Sequence, residues 1–215
     1  MPSVVTYVLI PADDAEQIRE MELAVPDKLE ENLGALTKAL NSYYAQKTGG
    51  FNPEQREAMI AAMRQQVAEK NKDGPPPDEE MLSQVALSQT VDIVQLLPAT
   101  PATEWVGVSM YVDDKGVAKG LPTNRRASEI CRQCGLSVEV MGDAFVAKAW
   151  DDQEGFERQN FRASDLGSDK EWVKSARLCN ENRGSVNDAA QKLAALNGPC
   201  LLYTSDAADD SLRVD

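Results

Sequence analysis

Residues 105–116 read Trp-Val-Gly-Val-Ser-Met-Tyr-Val-Asp-Asp-Lys-Gly, and they decide the fold class. Trp105 to Val112 is rich in β-branched and aromatic residues and predicts a strand. Asp113-Asp114-Lys115-Gly116 is a turn signal that stops it. On the N-terminal side, Val91, Ile93 and Leu96-Leu97 before Pro98 predict a neighbouring strand. On the C-terminal side, Asn124 to Cys134 predicts a helix, capped by Asn124 and stopped by Gly135. Val138 to Trp150 is strand-like and broken at Gly142-Asp143, which predicts a bend or bulge. Phe156 to Arg162 alternates weakly and predicts a last strand. Helices are expected over 169–180 and 185–196, where Ser185 and Asp188 resemble a capping box. Strands mixed with segregated helices predict an α+β fold: a small, mostly antiparallel sheet over 90–162, packed on the Asn124 helix.

The N-terminal half reads differently. Val4 to Ile10 is a continuous apolar run ended by Pro11 and predicts a buried strand, whose place in the sheet stays open. A short helical piece is expected around Ala15 to Leu23. Leu29, Leu33, Leu36, Leu40 and Tyr43 form one helical stripe, placing a helix from about Pro26 to Gln46, with Gly49-Gly50 ending it. Asn52-Pro53-Glu54-Gln55 starts a second helix with inner face Met59, Ile60, Met63 and Val67, running to about Lys70. These two helices are expected to form an N-terminal helical hairpin. Lys72 to Glu80 contains three consecutive prolines and reads as a stiff, extended spacer, with a short helix near 81–88 after it. The expected organisation is 1–71 for the strand and hairpin, 72–80 for the linker, and 81–199 for the α+β core.

Residues 200–215, Cys-Leu-Leu-Tyr-Thr-Ser-Asp-Ala-Ala-Asp-Asp-Ser-Leu-Arg-Val-Asp, resemble the in-frame translation of a transposase library adapter. The expectation is an artefactual tail, with the natural continuation after Pro199 missing. The chain carries a formal charge of −13, of which four Asp and one Arg in the tail supply −3, leaving −10 for the body. Such a surface repels phosphate backbones, so nucleic acid is not expected as a partner. An apolar fraction of 42% suits a packed core. The body's cysteines, Cys131, Cys134 and Cys179, are odd and sparse, which fits a reducing compartment better than a disulfide framework. No run is apolar enough for a membrane span, and the N-terminus lacks a basic leader. The expectation is a cytoplasmic, soluble protein with no membrane partner.

Three segments carry a resemblance: Tyr111-Val112-Asp113-Asp114-Lys115-Gly116, then Gly120-Leu121-Pro122-Thr123-Asn124-Arg125-Arg126-Ala127, then Gly142-Asp143-Ala144-Phe145-Val146. The stretch from Val91 to Asp151 resembles a family of small uncharacterised domains of phages and bacteria, with algal relatives. The resemblance implies an order of strand, acidic turn, capped helix and Gly-Asp-opened strand. It implies no chemistry, because the family has no established activity. The helical N-terminal half and the aromatic extension from Trp150 to Trp172 depart from it.

Candidate chemistry is sparse. Cys131 and Cys134 are spaced as a zinc or redox pair, yet they end a helix and lack further ligands, so structural thiols are the expectation. The chain has no histidine, which removes the commonest neutral-pH base. Asp113-Asp114 and Asp151-Asp152 lie at strand ends and are candidate carboxylates for a divalent cation, against solvated turns as the simpler reading. Lys115, Lys119, Arg125, Arg126 and Arg132 form a local basic cluster, and Asn124 opens a helix beside it, which suits an anion or an acidic partner. No glycine-rich phosphate loop is present. The aromatics of the second half are expected in the core. The functional expectation is a non-enzymatic interaction module for a protein or small anionic partner, without a cofactor. The alternative is a metal-dependent enzyme using the strand-end carboxylates.

Overall fold

The structure, a computed structural model, describes residues 3–47, 51–70, 78–88, 90–152 and 154–182. The expected helix over 185–196, most of the proline-rich linker and the adapter-like segment 200–215 lie outside the described residues.

Six strands form one antiparallel sheet: β1 (Ser3–Ile10), β2 (Arg19–Val25), β3 (Val91–Leu97), β4 (Val106–Asp113), β5 (Ala144–Asp151) and β6 (Phe156–Gln159). The order is β2-β1-β5-β4-β3, with β6 also on β5. Met1–Asn180 is one compact unit, so the N-terminal strand and helices belong with the sheet.

The apolar run of β1 is explained by burial on both sides. Val8 and Ile10 join one core with Val108, Met110, Ala144 and Val146. Tyr7 and Leu9 join the other with Tyr111, Phe145 and Ala147. Alternate residues of one strand thus feed two cores. The first is covered by α4 (Arg125–Gln133), through Ala127 and Cys131, and by a helix over 171–182, α5, through Val173 and Ala176. The second is covered by α1 (Leu29–Lys47), through Leu36, Leu40 and Tyr44. Tyr43 and Tyr44 meet Phe145 edge-on, at 4.9 and 5.8 Å between ring centres.

The N-terminal helical hairpin does not form. The chain begins with a strand, and α1 gives its apolar face to the sheet, with Leu29 and Leu33 left exposed. The second helix, α2 (Pro53–Lys70), instead packs on α3 (Glu79–Leu87). The expected inner face, Met59, Ile60, Met63 and Val67, is its half-buried side. Arg64 clamps Glu79 with a bidentate pair at 2.9 and 2.7 Å. The helix expected around Ala15 to Leu23 is also absent. Met21, Leu23 and Val25 alternate with Glu20, Glu22 and Ala24, a period of two that makes β2 an edge strand on β1.

The break at Gly142 is a bend, as the sequence led one to expect. Its φ of +77° favours glycine, since a side chain there would be strained, and β5 starts only after it. Among the described residues no helix is long and apolar enough to cross a membrane.

Candidate functional site

Asn124 fixes α4. Its side chain accepts from Ala127 N–H at 2.9 Å, capping the helix, and its amide donates to the carbonyls of Ile10 (2.9 Å) and Gly142 (3.0 Å). One buried side chain therefore joins β1, the Gly142 bend and α4. Arg126, two residues along, donates to the carbonyls of Glu16 (2.8 Å), Pro11 (2.6 Å) and Asp13 (2.7 Å). It holds the β1–β2 connection against the helix.

The result is a groove of about 610 Å³ between that connection, α4 and residues 166–168. Ile18, Ile130 and Leu166 line it with apolar surface. Arg125, Arg126 and Arg132 edge it, with Asp14 and Glu129 as their acidic neighbours. Arg125 is exposed, and Arg132 pairs with Glu129. Exposed pairs of this kind hold little energy and exchange readily for a better acceptor.

The remaining members of the basic cluster lie elsewhere. The Lys115 ammonium donates to the carbonyls of Val85 (3.4 Å) and Ser88, binding the end of α3, and burial pushes its pKa down. Lys119 forms a buried ion pair with Asp113 at 2.7 Å. Asn124 itself is fully buried, so it orients the groove without facing a partner. The expected Lys115–Arg132 face is thus divided, and the groove keeps Arg125, Arg126 and Arg132. Asp14, Ile18 and Leu166 were not legible as groove residues, because nothing local marks residues far apart in sequence as neighbours.

The carboxylates do not converge. Asp113 follows Val112, which pairs with Ala144, while Asp151 closes the other end of β5 beside Trp105. Seven strand residues, roughly 24 Å, separate the two ends. Asp152 accepts from Gly155 N–H at 2.8 Å inside its own turn, and Asp114 pairs with the Thr90 hydroxyl. Among the described residues no cluster of three or more metal-ligating side chains exists.

Cys131 and Cys134 point into the core as free thiols, and Cys131 Sγ touches Met110 Sδ at 3.8 Å. Burial pushes Cys131 up to about 11 and Cys134 up to about 12. Native protein at pH 8 is therefore expected to be modified by a thiol reagent at Cys179 well before Cys131 or Cys134, as read by peptide mass mapping. A raised native pKa favours the protonated folded form, so stability falls as pH rises from about 9 toward 12. Early labelling of Cys131 or Cys134 would contradict this placement.

No protein-family model matches the chain, and no curated protein matches it. Among solved structures, the crystal structure of the small RNA methyltransferase HEN1 is similar with a TM-score of 0.35 and 16% identity. The likeness covers 76% of this chain and 15% of that one, so the chain spans a small fraction of that protein's length. At that score it carries no argument about fold or activity.

Proposed function

We propose that the protein is a non-enzymatic interaction module whose α4 groove takes an acidic segment of a partner protein, with an apolar side chain entering between Ile18, Ile130 and Leu166. The observation that carries this reading is the grouping of Arg125, Arg126 and Arg132 around an apolar-floored groove, on a chain of net charge −13. Local positive potential on an acidic body selects acidic partners and turns basic ones away. The groove's apolar centre and charged rim follow the usual anatomy of a recognition surface.

The metal-dependent alternative loses its main motive, since Asp113 and Asp151 occupy opposite ends of the sheet. A small anionic ligand at the same arginines is the second form of the proposal.

The test uses fluorescence anisotropy with labelled peptides carrying Asp or Glu beside Leu or Phe. Arg125→Glu with Arg132→Glu is expected to weaken the best acidic peptide at least tenfold, and 0.5 M salt is expected to weaken it as well. Arg126 is left intact because it braces the β1–β2 connection. Binding unaffected by the double change would refute the groove, and acidic peptides binding no better than basic ones would refute the charge argument. If phosphate or a dicarboxylate competes fully with the peptide, the small-anion form stands.

A further inference from the structure

Arg125, Glu129 and Arg132 fall at i, i+4 and i+7 on α4, so one helix face carries the glutamate between the two arginines. All three line the α4 groove. Both Glu129 oxygens are taken: Oε2 accepts from Arg132 Nη1, and Oε1 accepts from Gln133 Nε2 at 3.1 Å. The groove therefore holds an anion of its own, seated on one of its arginines. Arg126 is engaged as well, by three carbonyls of the β1–β2 connection and by Asp14 at 3.6 Å. Arg125 is exposed and pairs with no described carboxylate.

An incoming Asp or Glu carboxylate gains Arg125. To gain Arg132 it must displace Glu129, a carboxylate of the same chemistry tethered one turn away. Tethering gives that internal competitor an effective concentration on the order of millimolar or more, so a like-for-like exchange brings almost nothing. A phosphate monoester differs. It carries about −1.5 to −2 charge at neutral pH and three strong acceptor oxygens. Guanidinium forks match those oxygens bidentately, so one phosphate can hold two arginines where a carboxylate holds one. The apolar floor of Ile18, Ile130 and Leu166 asks for an apolar neighbour on the same ligand, which a peptide supplies and free phosphate lacks. A chain of net charge −13 also favours a ligand whose charge is confined to one residue over a polyanion.

On the premise that the α4 groove is the partner site, we propose that its ligand is a partner-protein segment bearing a phosphorylated serine or threonine, and that Glu129 is the internal counter-ion that keeps plain carboxylates weak. The phosphate replaces Glu129 on Arg132 and takes Arg125 as well, while an apolar neighbour enters between Ile18, Ile130 and Leu166. Glu129 sets specificity by competing with the ligand rather than by touching it.

The experiment is fluorescence anisotropy of the full chain with labelled pools of short peptides, each carrying Leu or Phe beside a fixed phosphoserine, Glu or Ser. The phosphoserine pool is expected to bind at least about tenfold tighter than the Glu pool, and the Glu pool tighter than the Ser pool. Glu129→Gln releases Arg132 from an exposed pair and leaves the core untouched. It is expected to tighten the Glu pool about threefold and to narrow the gap between the phosphoserine and Glu pools. Glu57→Gln, an equal charge change at an exposed position on α2, is expected to leave every pool unchanged. Circular dichroism checks the fold of both variants. Equal binding of the phosphoserine and Glu pools overturns the phosphate proposal and leaves the acidic-segment reading standing. A Glu129→Gln effect no larger than that of Glu57→Gln overturns the role of Glu129. Free phosphoserine binding as tightly as the phosphoserine pool overturns the partner segment in favour of a small ligand. No binding by any pool ends the groove reading and the phosphate proposal together.

Discussion

Replacing Lys119 with Met lowers folding stability by about 3–5 kcal/mol, the usual consequence of stripping one partner from a buried ion pair. The Asp113 side chain is 0% exposed and that of Lys119 is 4% exposed, with 2.7 Å between them. Without the ammonium, Asp113 keeps the Lys115 N–H at 3.0 Å, but its charge lacks the cation that faces it. Water cannot take the place of Lys119, because the carboxylate is sealed. Adding Asp113→Asn removes the charge while keeping an acceptor for Lys115 N–H, so the double variant is expected to regain a large part of the loss. Urea midpoints of both variants and the parent measure the effect. A single-variant loss under about 1 kcal/mol would mean that the pair is hydrated and marginal. The same lysine lies 5.7 Å from the Phe51 ring, so its loss also loosens the approach to α2.

Asn124→Ala should have an effect of similar size or larger, about 3–7 kcal/mol. It removes a helix cap worth roughly 1 kcal/mol and leaves the buried carbonyls of Ile10 and Gly142 without their donor, at roughly 1–3 kcal/mol each. Asn124→Asp separates the two roles. Aspartate is as good a cap as asparagine on an exposed helix. Here it would turn a second oxygen toward two carbonyl oxygens, so it is expected to do no better than alanine. Stability near that of the parent in Asn124→Asp would show that the cap alone matters. Because this residue sets α4 against β1, a folded but loosened Asn124 variant should also lose affinity for acidic peptides, if the α4 groove is where they bind.

Local structure was legible wherever one short stretch carried its own signal. The Asn124 cap, the strand ending at Asp113 and the half-buried face of α2 all follow from neighbours within a few residues. Arg19 to Val25 reads wrongly as part of a helix: its charged residues favour one, and its two-residue alternation, which marks a strand, is short and lies at a sheet edge. The helical hairpin failed for another reason. An apolar stripe states that a helix must be covered, not by what, and Phe145, Tyr111 and Leu9 on the sheet offered α1 more than α2 did.

The candidate site shows the same division. The sequence by itself determined which groups exist: no histidine, a thiol pair ending a helix, arginines beside a capped helix start, and carboxylates at strand ends. Only the tertiary structure decided their use. It put Lys119 inside with Asp113, turned both thiols into the core, parted Asp113 from Asp151 by the length of a strand, and buried Arg158 against the carbonyls of Asn32 and Leu33. The reason is physical. A side chain's chemistry is covalent and travels with the sequence, whereas its charge state, access and partners depend on desolvation and on groups brought together from more than a hundred residues away, such as Arg158 and Asn32.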